Sequence, residues 1–357
     1  MKTVAIADAF LAERYYRDCF KAFSDFPLEA VPFFGLPERH GMRETARKIE
    51  VEGPDAVELP EELYASAEGA EVIMSHLCPV NAAMIGRAKG LRIILSNRGG
   101  LENIDLEAAT RRGIPVLHNP AHNANSVAEL TLGLMLAETR NIARTHERLM
   151  RGEWKERFRN AGQVYEIAGR TVGIVGFGNI GRRVAKKLSA FDCRILVCDP
   201  FVPADDPDLG RYGCEYAALP KLLAESDIVT LHARSKSLVL DRDDFRAMKK
   251  GAYFINTARP HLIDGAALYE CLRDGRLMGA AFDVFPTEPI PGDDPILALD
   301  NVTLTNHRGG DTENCYSDSP AMLLREARTY FSGGAPKFLA NRAGLESVGA
   351  HAAPHNA

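Results

Sequence analysis

Short apolar segments alternate with amphipathic ones along the chain from residue 171 onward. Apolar runs that predict strands occupy residues 171–175, 193–199, 228–232, 252–256, 278–284 and 302–305. Residues 243–249 and 265–274 have the mixed apolar and charged pattern of short helices. Strands and helices that alternate in this way predict an α/β fold with a doubly wound parallel sheet and right-handed crossovers.

The first hundred or so residues repeat this pattern less regularly. Strands are predicted at residues 4–7, 72–75 and 93–95, so we expect a second, smaller α/β domain. The chain has 357 residues, which exceeds the size at which a single hydrophobic core keeps growing. Length and pattern therefore both predict two domains.

A helix apolar on most of its faces is predicted to follow Ser126, because Ser126 and Glu129 have the spacing of a capping box. Such a helix must be buried, either in the domain core or against a second subunit, and the pattern leaves both open. The residues after 338 are small and polar and show no periodicity. We therefore predict that residues 341–357 form a disordered tail.

Composition and charge indicate the cellular location of the protein and the class of ligand that it binds. A formal net charge of −5 gives no electrostatic reason to expect nucleic acid or an anionic membrane, so a small molecule is the favoured ligand. The longest largely apolar stretch, residues 130–137, is too short to span a bilayer, and an acid interrupts the N-terminal apolar run too early for a signal peptide. Seven scattered cysteines show no metal-ligand spacing and suit a reducing compartment. These features predict a cytoplasmic protein without a metal site.

Residues 171–181, with the sequence TVGIVGFGNIG, join a strand to a glycine-rich turn and the start of a helix. In this pattern Gly176 permits the tight turn, Gly178 lets a pyrophosphate approach the backbone, and Gly181 lets the helix pack on the strand. The first helical residues, Asn179 and Ile180, would present free N–H groups to the pyrophosphate at the positive end of the helix. The segment therefore predicts a dinucleotide site.

The next predicted strand ends in Asp199, about 20 residues beyond the glycines, where a carboxylate can bind the adenosine ribose hydroxyls. Because Asp199 would repel a 2′-phosphate, the predicted cofactor is NAD rather than NADP. The alternative is a glycine-rich turn in another kind of α/β domain.

Several motifs in this order resemble the D-isomer-specific 2-hydroxyacid dehydrogenases, the family that includes 3-phosphoglycerate dehydrogenase. They are residues 103–115, 126–129, 151–154, the glycine-rich fingerprint, 256–259 and 283–289. The resemblance runs from about residue 72 to about residue 338, and the first seventy or so residues match poorly. It implies a Rossmann nucleotide-binding domain at residues 120–306, inserted into a discontinuous, flavodoxin-like substrate domain formed by residues 1–119 and 307–340.

The resemblance also implies a catalytic set of Arg259, Glu288 and His307. Arg259 would hold the carboxylate and carbonyl oxygens of the substrate. His307 would donate the proton during reduction and accept it during oxidation, and Glu288 would hydrogen-bond the imidazole and favour its protonated form. The alternative role is a surface ion pair for Arg259, a structural role for His307 and that of an ordinary loop carboxylate for Glu288. Ala258 and Asp283 are implied to line the cofactor site.

Substrate-binding residues are implied in the N-terminal part. The backbone at Gly99 and Gly100 would hold the substrate carboxylate, because glycine lets the main chain approach an anion closely, although a simple turn also explains both glycines. His76 lies where family members place a side chain that faces the substrate tail. Arg98 is less expected in this loop.

The chain departs from the family pattern in three places. Pro260 follows Arg259 where a glycine is usual and biases Arg259 toward an extended backbone. The turn at residues 233–237 is shortened and contains Arg234, and Arg308 follows His307. With His76 and Arg98 these arginines predict a basic cleft for a 2-hydroxy acid with a polar or anionic tail. Solvated arginines at the rim are the alternative.

These observations predict hydride transfer between NAD and C2 of a D-2-hydroxy acid, in a homodimer formed through a helix near residues 127–150. The alternative from another class is an NAD(H)-sensing, corepressor-like binding protein. Formate or phosphite oxidation on the same scaffold is a closer alternative. Glu288 argues against the formate enzymes, whose corresponding position resembles glutamine.

Overall fold

A computed structural model describes residues 1–154 and 157–349. Its strands are β1 (Thr3–Ile6), β2 (Leu28–Ala30), β3 (Val72–Ser75), β4 (Ile93–Ser96), β5 (Val116–His118), β6 (Thr171–Val175), β7 (Arg194–Cys198), β8 (Cys214–Tyr216), β9 (Ile228–Leu231), β10 (Tyr253–Asn256), β11 (Gly279–Phe282) and β12 (Val302–Leu304). Its α-helices are α1 (Glu13–Phe20), α2 (Arg39–Glu52), α3 (Glu61–Ala67), α4 (Ala82–Arg87), α5 (Leu106–Arg111), α6 (Ala124–Thr139), α7 (Ile142–Met150), α8 (Asn179–Leu188), α9 (Pro207–Arg211), α10 (Leu219–Glu225), α11 (Arg242–Ala247), α12 (Gly265–Arg273), α13 (Glu313–Ser317), α14 (Ser319–Phe331) and α15 (Arg342–Ser347). Short 3₁₀ helices occupy Pro260–Leu262 and Pro295–Ala298.

The chain divides into two compact units. The first unit contains Met1–His122 and the chain from Thr312 onward, and the second unit contains Asn123–Asp311. The chain passes from the first unit to the second after residue 122 and returns after residue 311. Both boundaries lie a few residues beyond the positions expected from the sequence, which were residues 119–120 and 306–307. The first unit is therefore discontinuous.

The first unit contains a five-stranded parallel sheet in the order β2-β1-β3-β4-β5. This is the flavodoxin-like order. Strands β2 and β5 were not predicted, because each has only three residues and so shows too little periodicity. Ile73 and Ile94 face one apolar core, whereas Met74 and Leu95 face the other, so helices cover both faces of the sheet.

The second unit contains a seven-stranded parallel sheet in the order β12-β11-β10-β9-β6-β7-β8. The chain runs outward from β6 in both directions, which is the doubly wound Rossmann order, with the switch point between β6 and β9. The neighbours Tyr253 and Phe254 enter opposite cores, so both faces of this sheet are also buried. The predicted fold class is confirmed for both units.

The capping box predicted at Ser126 is wrong. Helix α6 begins at Ala124, and Asn123 precedes it without a side-chain capping bond. Ser126 is buried inside the helix, while the Glu129 carboxylate accepts hydrogen bonds from Lys187 at 3.0 Å and Asn125 at 2.9 Å. The helix begins before Ser126 because Ala124 is itself buried. The sequence motif formed by Ser126 and Glu129 contains no information about that burial.

The predicted helix over residues 127–150 is in fact two helices. Asn141 separates α6 from α7 in a left-handed conformation with φ 57°. Arg144 folds back over this break, where it donates to Asn141 Oδ1 at 3.0 Å and pairs with the buried Glu138. Burial raises the pKa of Glu138 to about 7, while Arg144 and the Thr303 hydroxyl, 2.6 Å away, act to lower it. The packing around Glu138 therefore fixes the bend.

The prediction that residues 341–357 are disordered is wrong for residues 341–349. Residues Arg342–Ser347 form α15, and its Leu345 is completely buried. Asn341 accepts a hydrogen bond from the Val116 N–H at 3.0 Å and donates one to the Ile114 carbonyl at 2.9 Å. One turn of helix anchored by a single leucine has no detectable periodicity, which explains the error. Residues 350–357 lie outside the described residues.

His232 should make the second unit sensitive to acid. It is buried at the end of β9, and burial lowers its pKa to about 3. The unfolded chain takes up a proton near the ordinary pKa of about 6.5, so this stabilisation is complete above pH 6.5 and is lost as the pH falls toward 3. We expect about 2 kcal/mol of the loss in unfolding free energy between pH 8 and pH 5 to come from His232.

Urea denaturation of the native protein and of the His232→Gln variant at both pH values measures this contribution. The variant should show the smaller difference between pH 8 and pH 5. An equal difference in the two proteins would assign the acid sensitivity to other groups.

Candidate functional site

The glycine-rich turn after β6 has room for a ligand at one glycine and close packing at the other two. Gly176 has φ +96°, and a Cβ there would overlap the backbone of Ala233. A Cβ on Gly181 would overlap the Gly176 carbonyl oxygen. A Cβ on Gly178, the residue that precedes α8, would meet no atom within 4 Å. Open space therefore lies beside the N-terminus of α8, whose first residues are Asn179 and Ile180, and a pyrophosphate fits there.

Asp199 lies at the end of β7 and contacts the same turn. Its Oδ2 accepts a hydrogen bond from the Phe177 N–H at 2.7 Å, and its Oδ1 accepts one from the Phe201 N–H at 2.9 Å. Each carboxylate oxygen keeps a further lone pair, which can accept from a ribose hydroxyl. The glycine turn, the helix N-terminus and this carboxylate fit NAD as sequence reasoning expected.

His307 and Glu288 form a hydrogen-bonded pair in the second unit. The His307 Nδ1 lies 2.8 Å from Glu288 Oε2, and Glu288 Oε1 accepts from the Phe285 N–H at 3.0 Å. Because a carboxylate can only accept, Nδ1 carries a proton, and Nε2 is the nitrogen that can exchange one with a ligand. The His307 side chain is half exposed, so Nε2 is accessible to a small molecule.

The buried Asp283 fixes the backbone around His307. Its Oδ1 accepts hydrogen bonds from the Thr305 hydroxyl at 2.6 Å and the Arg308 N–H at 2.7 Å, and its Oδ2 accepts from the Gly309 N–H at 2.8 Å. His307 has φ 56°, a left-handed conformation that costs energy in a non-glycine residue. The resemblance placed Asp283 in the cofactor site, and the structure gives it contacts that hold the His307 loop.

Arg259 follows β10 in an extended conformation, with φ −143° and ψ 144°. Its side chain is exposed, and its Nη1 donates to the Ala258 carbonyl at 2.7 Å. The Asn256 side chain accepts from the Ala258 N–H at 2.9 Å and donates to the Arg259 carbonyl at 3.3 Å, so it holds this turn. Pro260 begins the following 3₁₀ helix, as its restricted φ allows. Sequence reasoning did not identify Asn256, although its position at a strand end next to a proposed site residue was a signal.

Three adjacent parallel strands bring these residues to one edge of the second sheet. Arg259 follows β10, Asp283 follows β11 and His307 follows β12. Gly176 follows β6 at the same edge. The carboxyl ends of parallel strands are the usual ligand-binding edge of such a sheet. The second unit thus combines a dinucleotide cradle, a guanidinium and a carboxylate-bound imidazole.

His76 lies in the first unit, directly after β3. Its Nδ1 donates to Asp8 Oδ2 at 2.9 Å, and Asp8 also accepts from the backbone N–H groups of Phe10, Leu11 and Leu77. Although burial alone raises the pKa of Asp8, His76 and these hydrogen bonds lower it below its ordinary value. Asp8 is therefore an ionised carboxylate that orients His76. Sequence reasoning missed this role because 68 residues separate the two partners.

Arg98, Gly99 and Gly100 form the loop after β4, also in the first unit. The Arg98 guanidinium pairs with Glu50 of α2, so its charge is balanced. A Cβ on Gly99 would lie 3.2 Å from Pro120 Cα, and one on Gly100 would overlap the Glu102 carboxylate. Local packing therefore accounts for both glycines, so the turn interpretation remains open beside the anion-binding one.

Arg308, the second arginine of the predicted basic cleft, forms an ion pair with Asp311 at 2.8 Å. Arg98 and Arg308 thus each face an acid, which weakens the basis for a cleft made basic by these two side chains. Arg234 is exposed in the shortened loop. The neighbouring Ser235 carbonyl lies 3.0 Å from His261 Nε2, so this loop is tied to the segment after Arg259.

No helix among residues 1–154 and 157–349 is long and apolar enough to cross a membrane. Within the same residues no group of three or more His, Cys, Asp or Glu side chains is arranged to hold a metal ion. The cytoplasmic location stays a prediction.

Comparison with known sequences agrees with this geometry. A family model described as D-isomer specific 2-hydroxyacid dehydrogenase, NAD binding domain, matches residues 132–309. A D-3-phosphoglycerate dehydrogenase of Methanocaldococcus jannaschii is 37% identical over 279 residues, which cover 76% of this chain and 52% of that protein. A hydroxypyruvate reductase of Thermotoga maritima is 41% identical over 239 residues, which cover 65% of this chain and 75% of that protein. The chain thus spans about half the length of the first relative and three-quarters of the second.

A solved structure shares the fold. The NAD-complexed D-isomer specific 2-hydroxyacid dehydrogenase of Lactobacillus delbrueckii ssp. bulgaricus matches with a TM-score of 0.75 at 21% identity, over 96% of this chain and 100% of that chain. At this identity the match reports the fold alone.

The three glycines of the turn should respond differently to a methyl group. Gly178→Ala should leave the unfolding free energy nearly unchanged, because its Cβ meets no protein atom, but should weaken NADH binding about tenfold or more by occupying the ligand's approach. Gly181→Ala should lower both stability, by about 1–3 kcal/mol, and NADH affinity, because its Cβ overlaps the Gly176 carbonyl. Denaturation and NADH fluorescence titration measure the two effects.

Gly86→Ala is the matched control, since a Cβ there also meets nothing within 4 Å and lies in α4 of the first unit. Unchanged NADH affinity in Gly178→Ala would contradict a dinucleotide site at this turn.

Proposed function

The chain belongs to the D-isomer specific 2-hydroxyacid dehydrogenase family, as the resemblance predicted, and on that premise we propose that it transfers a hydride between NAD and C2 of a D-2-hydroxy acid. The observation that carries the proposal is the His307–Glu288 pair, which shares one sheet edge with Arg259 and the dinucleotide fingerprint. The relatives are named as dehydrogenases and reductases, which favours this activity over an NAD(H) sensor.

When bound, NAD supplies or accepts the hydride. Arg259 then orients the substrate, because its planar guanidinium can bind a carboxylate oxygen and the C2 oxygen together. Pro260 holds Arg259 extended and Asn256 braces its backbone, so the guanidinium starts from a constrained position. The positive charge near the C2 oxygen stabilises the negative charge that develops there during reduction.

His307 exchanges the proton at Nε2. During reduction it gives this proton to the C2 oxygen, and during oxidation it removes the proton from the C2 hydroxyl. Glu288 holds Nδ1–H, which fixes the ring orientation and stabilises the imidazolium that forms during oxidation. Asp283 keeps the backbone on both sides of His307 in place. On the first unit, the backbone at Gly99 and Gly100 and the side chains of His76 and Arg98 remain our proposed substrate contacts.

Removal of the imidazole tests the proposal most directly. His307→Ala should reduce turnover of 2-oxo acids by ~10²–10⁴, the range typical of general acid–base catalysis, with NADH affinity nearly unchanged. Glu288→Gln should cost less, because the amide oxygen still accepts from Nδ1 but carries no charge. The assay follows NADH oxidation with apolar, phosphorylated and sugar-derived 2-oxo acids, with NADPH in parallel.

Retained turnover in His307→Ala would exclude this residue as the proton donor. Tight NADH binding by the native protein, without turnover of any 2-oxo acid, would replace the dehydrogenase by the NAD(H)-sensing alternative.

We also propose that the chain forms a homodimer through α6, α7 and the segment that follows α7. Met150 is 75% exposed and Trp154 is 82% exposed, and Ile142 and Leu149 are about half exposed. Helix α6 was predicted to be fully buried, but its Leu130, Leu132 and Leu136 are partly exposed. An apolar surface of this kind is typical of a subunit interface.

Met150→Glu should convert a dimer to a monomer, because a carboxylate at a closed interface is desolvated without a partner. Sedimentation velocity at micromolar concentration measures the change. Val51→Glu is the control, since Val51 is also an exposed apolar residue but lies on α2. A native protein that sediments as a monomer would contradict the proposed dimer.

A further inference from the structure

Residues 199–206 form a loop between β7 and α9, and its first residue is the proposed ribose-binding carboxylate, Asp199. The loop begins beside the glycine-rich turn, because Asp199 Oδ2 accepts from the Phe177 N–H at 2.7 Å. Its last residue, Asp206, caps the N-terminus of α9 with its side chain. The conformation of the loop bears on the ligand site, since Asp199 Oδ1 accepts from the Phe201 N–H within the loop.

Arg182 of α8 holds the far end of this loop. Its Nη1 donates to Asp206 Oδ1 at 2.6 Å and its Nη2 donates to Asp206 Oδ2 at 2.8 Å, so the two side chains form a bidentate pair. The same Nη1 also donates to Asp208 Oδ2 at 2.9 Å. The side chain of Asp206 is 14% exposed and that of Arg182 is 29% exposed. A bidentate pair that is partly shielded from solvent holds its partners more firmly than an exposed one.

The Arg182 guanidinium also packs on the residue between the first two glycines of the fingerprint. Its central carbon lies 4.7 Å from the ring centre of Phe177, and that side chain is completely buried. A cation at this distance from an aromatic ring is attracted to the ring face. Phe177 is therefore linked to both ends of the loop, because its N–H binds Asp199 and its ring contacts the guanidinium that holds Asp206.

These contacts close a ring, which runs from the Phe177 N–H along the loop and returns through Arg182 to the Phe177 side chain. A loop that is fixed at both ends has fewer accessible conformations, so less ordering entropy remains to be lost when a ligand binds. The Asp199 carboxylate depends on this order, because one of its two backbone donors, the Phe201 N–H, belongs to the loop. Both of its oxygens are thereby held in one orientation before the cofactor binds.

We propose that Arg182 is a positioning residue for the adenosine end of NAD, and that its clamp on Asp206 and Phe177 keeps the Asp199 carboxylate in the orientation that binds the ribose hydroxyls. The inference needs the dinucleotide site but not the proposed hydride transfer. Arg182 acts through Asp199. The clamp also favours NAD over NADP, because a carboxylate held in place repels a 2′-phosphate, and because Asp206 and Asp208 engage the charge of Arg182.

Fluorescence titration of the full-length protein with NADH measures the effect of the clamp. Arg182→Gln should weaken NADH binding about tenfold, since the loop that orients the Asp199 carboxylate is released. Competition with ADP-ribose should show the same loss, because that compound contains the adenosine end. NADPH affinity should change less, so the preference for NADH should fall. Arg182→Lys should retain part of the affinity, since a lysine keeps the charge but not the bidentate pair.

Arg194→Gln is the matched control. Arg194 begins β7, at the opposite end of the strand from Asp199, and it also pairs with two acids, Glu215 at 2.6 Å and Glu225 at 2.6 Å. Its substitution removes the same charge and a similar set of contacts from the same sheet, so NADH affinity should stay unchanged. Urea denaturation of each variant checks that it is folded.

A double-mutant cycle distinguishes positioning from a general effect on the fold. If Arg182 acts through Asp199, Arg182→Gln should weaken NADH binding in the native background but cause little further loss in the Asp199→Ala background. A merely structural role would give the same loss in both backgrounds. If Arg182→Gln does not fold, Asp208→Asn replaces it in the cycle, because it removes one contact and leaves the bidentate pair with Asp206.

Unchanged NADH affinity in Arg182→Gln would overturn the proposal, as would an equal loss in Arg194→Gln or additive losses in the cycle. These outcomes do not depend on turnover. Tight NADH binding that is weakened by Arg182→Gln would support the clamp even if the native protein turned over no 2-oxo acid. Turnover of a 2-oxo acid by a protein in which Arg182→Gln leaves NADH affinity unchanged would retain the dehydrogenase and remove the clamp.

Discussion

The parallel order of the seven-stranded sheet is the constraint on which the candidate site depends. In a parallel sheet every strand ends at the same edge, so residues that follow β6, β10, β11 and β12 meet there although they are far apart in sequence. Buried side chains on both faces of the sheet hold this order. The dinucleotide turn, Arg259, Asp283 and His307 therefore share one edge.

Hydrogen bonds from buried polar side chains then set the local geometry at that edge. Asp283 is buried, so its carboxylate must be satisfied by protein donors, and the Thr305 hydroxyl before His307 and the Arg308 and Gly309 N–H groups after it supply them. Removal of these bonds would leave a buried charge without partners, which costs more than the left-handed conformation of His307. Asn256 acts in the same way beneath Arg259. In the first unit, Asp8 orients His76. His307, Arg259 and His76 thus each depend on a buried polar neighbour that holds the side chain or its backbone in place.

The errors of sequence reasoning share a physical origin. The spacing of Ser126 and Glu129 fits a capping box, but the burial of Ala124 extends the helix past it. An apolar pattern extends through Asn141, where contacts among Glu138, Arg144 and Thr303 break the helix. In both cases a local pattern competes with the burial of groups that only the folded chain brings together.

The sequence by itself determined the parallel α/β class, the dinucleotide fingerprint at residues 171–181 and most strands of the second unit to within one or two residues. These features depend on neighbouring residues, whose hydrophobic period and glycine positions can be read directly. The roles of Asp283 and Asn256 as supports, the pairing of Asp8 with His76 and the pairing of Arg182 with Asp206 were decided by the tertiary structure. Except for Asn256, which braces its immediate neighbours, they depend on contacts between residues far apart in sequence, such as Asp8 and His76, which are 68 positions apart. Only the packing of the folded chain brings such residues together.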